Sequence, residues 1–205
     1  MTGVYDLNPM PHKLHVRCPS CDSCAEFEFA EVVKITLKKD IEFFQGNDLF
    51  DYRIFPNWEG RRWHGAIYYA GLHGGGVNAI RDLPDGYRPE DWSHSKHYLG
   101  TGDLLHSYGL DLGSTYCLKC HTSGKHELSW PKEAYFSIEY RGKVLWAFHR
   151  ESTVELRDYI ASSQRRISDF AWESFLLHIP SEFKHKSARD QVVKKLNKLL
   201  RETAL

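Results

Sequence analysis

The chain has 205 residues, of which 41% are hydrophobic and 14% aromatic, enough apolar material to bury a real core and too much for a disordered chain. Its 27 Lys+Arg and 27 Asp+Glu cancel, which removes any argument from net charge for a nucleic-acid or membrane-surface protein. The balance is uneven along the chain: residues 1–116 hold 11 basic against 16 acidic side chains and residues 117–205 hold 16 against 11. The start shows no charged segment leading into an apolar one, and no stretch approaches the ~20 apolar residues of a membrane span. The expectation is a cytoplasmic protein without a membrane partner.

Taken in order, Lys13 to Arg17 and Ala25 to Phe29 read as short strands, Phe27 and Phe29 alternating with glutamates. They predict a hairpin with Cys18 and Cys21 at its tip. Val32–Leu37 and Ile67–Ala70 are further strand candidates. Between about 45 and 116 the pattern weakens into a Gly-, His-, Trp- and Tyr-rich stretch with turn signals at Pro56-Asn57 and Pro84-Asp85-Gly86, which predicts a loop-rich insertion with short elements. Strands return at Lys125–Trp130, Ala134–Tyr140 and Val144–Phe148, the last two joined by an Arg141-Gly142 turn. Helical periodicity follows. Val154, Leu156, Tyr159 and Ile160 share one face of a segment capped by Ser152 or Thr153 and ending near Ser163. Ile167, Phe170, Ala171, Phe175 and Leu176 share a face of a second, ended by Pro180. A third, from about Ser187 to Glu202, places Val192, Val193, Leu196, Leu199 and Leu200 on one side and its lysines largely on the other. The fold class is therefore α+β: an antiparallel sheet over 1–150 interrupted by the insertion at about 45–116, with C-terminal helices over 151–205 packed on the sheet.

The five cysteines are clustered in sequence, an arrangement that suits metal ligation better than a disulfide framework. Val16-Arg17-Cys18-Pro19-Ser20-Cys21 resembles the first knuckle of a zinc ribbon, and Cys117-Leu118-Lys119-Cys120 resembles the second. The resemblance implies one structural Zn²⁺ held by Cys18, Cys21, Cys117 and Cys120, closed by four protein thiolates and without an open position for chemistry. Compact ribbons have shorter connections than the 95 residues between Cys21 and Cys117. Closure entropy grows only logarithmically with loop length, so the insertion is tolerable. Cys21 and Cys24 form a rival pair of equal spacing, and His12 or His15 could substitute as a ligand. Pro19 and the preceding strand favour Cys18/Cys21.

Other readings compete. Cys117-Leu118-Lys119-Cys120-His121 matches the covalent haem-attachment pattern, which requires export. A redox dithiol should open a helix after a strand, whereas Glu26 to Phe29 reads as strand. The insertion carries His64, His73, His94, His97 and His106 with Asp82, Asp85, Asp91 and Asp103, a set that could build a catalytic metal site but contains no recognised signature. The sequence thus favours a non-catalytic adaptor that binds another protein. A nucleic-acid binder using the basic C-terminal helix and a metal-dependent enzyme using the insertion remain as alternatives.

Overall fold

The computed structural model describes residues 10–56, 61–94 and 110–203. In chain order these residues form β1 (Lys13–Arg17), β2 (Cys24–Phe29), β3 (Glu31–Ile35), α1 (Ile41–Gly46), β4 (Phe50–Pro56), β5 (Arg62–Tyr68), α2 (Ala70–His73), β6 (Ser93–His94), β7 (Leu112–Tyr116), β8 (Ser123–Glu127), β9 (Ser137–Tyr140), β10 (Lys143–Trp146), α3 (Arg150–Ala161), α4 (Glu173–Leu177), α5 (Ser181–Lys184) and α6 (Lys186–Glu202). The fold is α+β, with antiparallel pairing throughout the strand pairs whose register is defined. No described helix is long and apolar enough to cross a membrane. The chain divides into two compact units, residues 1–26, 117–120 and 129–205, and residues 27–116 and 121–128.

In the first unit, β1 pairs on one side with β2. On its other side it is held by backbone bonds from His15 to Phe148 and from Arg17 to Glu133, and by one from Tyr135 back to His15. β9 and β10 form a hairpin whose turn residues Arg141 and Gly142 both have positive φ, 51° and 74°, the geometry that matches strand twist in a two-residue turn. Trp146 and Phe148 pack with Phe175, ring centroids 5.0–5.8 Å apart, among the buried faces of the helices. α6 buries Ala188, Val192, Leu196 and Leu200, a stripe at four-residue spacing facing one side. Its last carbonyls are bound by Arg150, whose Nη1 donates to Leu200 O at 2.9 Å and Thr203 O at 2.6 Å, placing a cation at the negative end of the helix.

Two helix starts differ from the sequence expectation. α3 begins two residues before Ser152, at Arg150, and its cap is His149, whose Nδ1 accepts from Ser152 N at 3.3 Å while Ser152 Oγ accepts from His149 N at 3.0 Å. The segment expected as one helix over Ile167–Leu176 is a 3₁₀ turn at Ile167–Asp169 followed by α4. Glu155 divides it: its carboxylate accepts from Ala171 N at 3.2 Å and Trp172 N at 2.8 Å, drawing the backbone away from helical bonding and supplying an anion ahead of α4.

In the second unit, β7 pairs with β8 and follows β2 in sheet order, and a second sheet runs β4-β5-β3-β6. The stretch expected to be loop-rich holds the seven-residue strands β4 and β5, paired from Phe50↔Tyr68 to Pro56↔Arg62. The β5 and β3 positions alternate between two apolar clusters. Val33, Ile35, Ala66 and Tyr68 join Phe44, Phe50 and Trp92 on one face, and Val32, Ile67 and Tyr69 join Ala30, Phe55 and Leu112 on the other. Covered on both faces, β5 shows no polar alternation.

The helix-start histidines make the first unit acid-sensitive. His15 Nδ1 accepts from Arg150 N at 3.2 Å, and its ring lies 6.3 Å from that of His149, whose Nδ1 faces Ser152 N at 3.3 Å and Glu151 Oε2 at 2.8 Å. With Nδ1 unprotonated each ring accepts from an N–H of the first turn of α3, and protonation of His149 turns its Nδ1 to Glu151 instead. Burial lowers both pKa values below 6.5, against the opposing carboxylates of Glu151 and, for His15, Glu26. A histidine with a depressed folded pKa contributes stability above its unfolded pKa and loses it as pH falls toward the folded value. Chemical denaturation at a series of pH values is expected to show stability declining as pH drops below about 6.5, with a shallower decline in His149→Asn, which keeps a capping acceptor but cannot titrate. Equal slopes for the two proteins would refute this account of the cap.

Candidate metal centre

Two short hairpin connections present the cysteines. The β1–β2 connection carries Cys18 and Cys21, closed by Asp22 N donating to Cys18 O at 2.9 Å and Cys18 N donating to Ser23 O at 2.8 Å. The β7–β8 connection carries Cys117 and Cys120. In each, the residue after the second cysteine is left-handed, Asp22 with φ 58° and His121 with φ 57°, which turns the chain back after both thiols have been delivered to one side. Asp and His are among the few non-glycine residues that tolerate this region. The matching dihedrals make the two connections local counterparts, a correspondence that CxxC spacing alone does not reveal.

The four sulfurs of Cys18, Cys21, Cys117 and Cys120 lie within 4.8 Å of one another. Across the two knuckles, Cys18 Sγ is 3.6 Å from Cys120 Sγ and Cys21 Sγ is 3.7 Å from Cys117 Sγ. Bonds of about 2.3 Å from a tetrahedral ion imply S···S edges of about 3.8 Å, so the donor set fits such an ion. A disulfide needs about 2.05 Å, and all five cysteines are free thiols. Cys18 and Cys117 are buried, Cys21 is half-buried and Cys120 is exposed. Ser20 N donates to Cys18 Sγ at 3.4 Å, the kind of bond that supports a thiolate once a cation is present.

Burial pushes the Cys18 thiol up to about 11, while hydrogen bonding from Ser23 lowers that of Cys21. In this cluster a divalent cation supplies what makes all four groups thiolates, since coordination deprotonates a thiol outright. Cys24 stands apart from the four. It is half-buried at the start of β2, its carbonyl accepts a long contact from Cys117 Sγ at 3.8 Å, and burial with the nearby Cys117 raises its thiol to about 12. The rival pairing through Cys24 is therefore not the one that converges. His15 is committed to Arg150 N, and His121, the histidine of the haem-like pattern, is an exposed turn residue.

Among the described residues, the insertion's candidate ligands do not gather. His64 Nδ1 is bonded to the Tyr52 hydroxyl, His73 stacks on Tyr68 at 5.3 Å, and Asp82, Asp85 and Asp91 are exposed, Asp91 accepting from Arg88 N at 2.8 Å. His94 lies in β6, and His97, His106 and Asp103 fall outside the described residues. Among the described residues, the four-cysteine cluster is the one group of potential ligands that converges.

Comparison with protein-family models, with curated proteins and with solved structures finds no significant match to this chain. Inference therefore rests on the four-thiol geometry itself, which sorts the cysteines experimentally. Cys18→Ser and Cys117→Ser are each expected to abolish tight metal retention and cut soluble yield, because metal binding contributes directly to folding in such sites. Cys24→Ser should retain the metal. Metal analysis of the three purified variants checks this, and metal loss from Cys24→Ser alone would reverse the assignment.

Proposed function

We propose that the protein is a non-catalytic interaction (adaptor) protein in which one structural Zn²⁺, held by Cys18, Cys21, Cys117 and Cys120, fixes the surface it presents to another protein. The observation that carries the reading is the convergence of four sulfurs within 4.8 Å. A soft all-sulfur tetrahedral set suits zinc, with iron as the chemical competitor, and four protein ligands leave no position for substrate. The second knuckle projects Leu118, 59% exposed, beside Lys119. Together with Tyr135, Ser23 and Thr203 they line a cleft of about 520 Å³. An exposed leucine held on a metal-braced turn is suited to a partner's apolar pocket, the kind of anchor that dominates interface energetics.

The competing reading, phosphate contact by the basic face of α6, is supported by the exposure of Lys194, Lys198 and Arg201. Two lysines of that face are partly committed: Lys195 donates to Glu139 O at 2.5 Å, and Lys198 lies 3.6 Å from Glu202.

Native mass spectrometry of the purified chain is expected to give one zinc per molecule. Leu118→Asp should keep that zinc and the melting temperature, since the side chain is exposed, while losing partners that the unaltered protein captures. Retention of every partner by Leu118→Asp would reject the knuckle as the contact. Steeply salt-dependent binding of nucleic acid, lost on reversing Lys194, Lys198 and Arg201 to Glu, would transfer the function to α6.

A further inference from the structure

We propose that the protein forms a two-fold dimer through the outer edge of β4, which pairs antiparallel with β4 of a second copy so that Tyr52 stands opposite Tyr52. The inference is independent of the zinc reading, because β4 lies within residues 27–116 and the four clustered cysteines belong to the other unit.

The sheet order β4-β5-β3-β6 puts β4 at one end, and all of its seven residues are paired on the inner side to β5. An edge of that length presents a row of N–H and C=O groups that can template another strand. Parity decides which groups face outward. Phe50 stands opposite Tyr68 but gives its N–H to Asn47 O at 3.0 Å. Because backbone direction alternates along an antiparallel ladder, Phe50, Tyr52 and Ile54 turn away from β5, and Asp51, Arg53 and Phe55 turn toward it. Pro56 agrees with this assignment, since it falls in the outward set, where its missing N–H costs the ladder nothing. Among the described residues, Tyr52 and Ile54 make no backbone bond outside the pairing with β5.

The order of charges along β4 names the occupant and fixes the register. Asp51 and Arg53 share one face of the strand. In a two-fold ladder centred on Tyr52, Asp51 of each copy stands opposite Arg53 of the other, so both cross-strand pairs join opposite charges. The two neighbouring registers that keep the outward groups bonded do the reverse. Tyr52 opposite Ile54 sets Arg53 against Arg53, and Tyr52 opposite Phe50 sets Asp51 against Asp51, and like charges directly opposite are unfavourable. Charged side chains on an edge normally keep other strands away. Here they exclude the wrong registers and favour one. Arg53 is free to take part, since its side chain is 48% exposed and its contact with Asp51 of its own strand is a loose 3.7 Å, leaving guanidinium donors for a second carboxylate. Lys125 donates to Asp51 Oδ1 at 2.5 Å and holds that carboxylate in place.

The other face of β4 supplies the apolar part of the contact. Phe50 and Tyr52 pack in the core cluster of that face, while Ile54, next along it, is 48% exposed. Pairing about Tyr52 sets Ile54 of each copy opposite Phe50 of the other, so an exposed isoleucine is covered on both sides of the axis. The backbone is satisfied in the same register. The two tyrosines exchange both of their bonds, and each Ile54 N–H reaches Phe50 O of the other copy, which leaves the Phe50 N–H with Asn47 O. The contact is small, of the class that associates reversibly rather than permanently.

The test is analytical ultracentrifugation of the zinc-loaded full chain from micromolar to millimolar concentration. A reversible monomer–dimer equilibrium without larger species is expected, because an isologous two-fold contact closes on itself. Arg53→Asp and Asp51→Arg should each weaken the dimer about tenfold or more, since every substitution acts twice across the axis. An equimolar mixture of the two variants should associate again, because an acidic pair on one chain then faces a basic pair on the other. That rescue reads the register itself and is not given by a variant that merely misfolds. Ile54→Pro removes an outward N–H without touching the ladder to β5, and should abolish the dimer while keeping the circular-dichroism spectrum. Amide exchange should show Tyr52 and Ile54 protected in the dimer and open on dilution, with Arg53 and Phe55 protected throughout. A chain that stays monomeric at millimolar concentration overturns the proposal, even where β4 proves to receive a strand of a different protein. A dimer indifferent to Ile54→Pro and to both charge variants overturns it equally.

Discussion

Closure of two distant turns onto one point is the constraint from which the rest of the account follows. Cys21 and Cys117 are separated by 95 residues, yet their sulfurs stand 3.7 Å apart. Four thiols brought this close, two of them buried, gain little from one another as neutral groups. A dication changes the balance. Apparent zinc binding in finger peptides is about 10–16 kcal/mol, whereas doubling a loop's length costs only about 0.6 kcal/mol. A long connection is thus a small burden on the site, and on the proposed reading the metal stabilises the first unit without taking part in chemistry.

The knuckles were legible in the sequence because two-residue spacing and a strand on either side constrain how thiols can be delivered. Two things at the site were not. The left-handed residues that complete the turns are Asp22 and His121, where a glycine would have announced the conformation. The choice of Cys18 over Cys24 rested on Pro19 and the preceding strand, and it is the convergence of sulfurs in space that separates them. The first and last strands and α6 were readable for a similar reason: β1 spans the expected residues, and the stripe Val192, Leu196, Leu200 has an unmistakable period.

What the sequence obscured was mostly hidden by burial on two sides or by unusual caps. β5 lies between two apolar clusters, so its residues do not alternate, and its histidine, tryptophan and glycine look like loop composition. α3 is capped by a histidine rather than the Ser or Thr nearby, and the carboxylate of Glu155 interrupts a helix that periodicity alone would continue. At α4 a long-range polar contact outweighed local propensity.

X-ray absorption at the metal edge tests the central claim most directly, because it reports both the element and its ligands. The account predicts a zinc edge with four sulfur neighbours at about 2.3 Å and no nitrogen or oxygen in the first shell. An iron edge, or a zinc shell containing imidazole nitrogen or water oxygen, would contradict a closed four-cysteine zinc site.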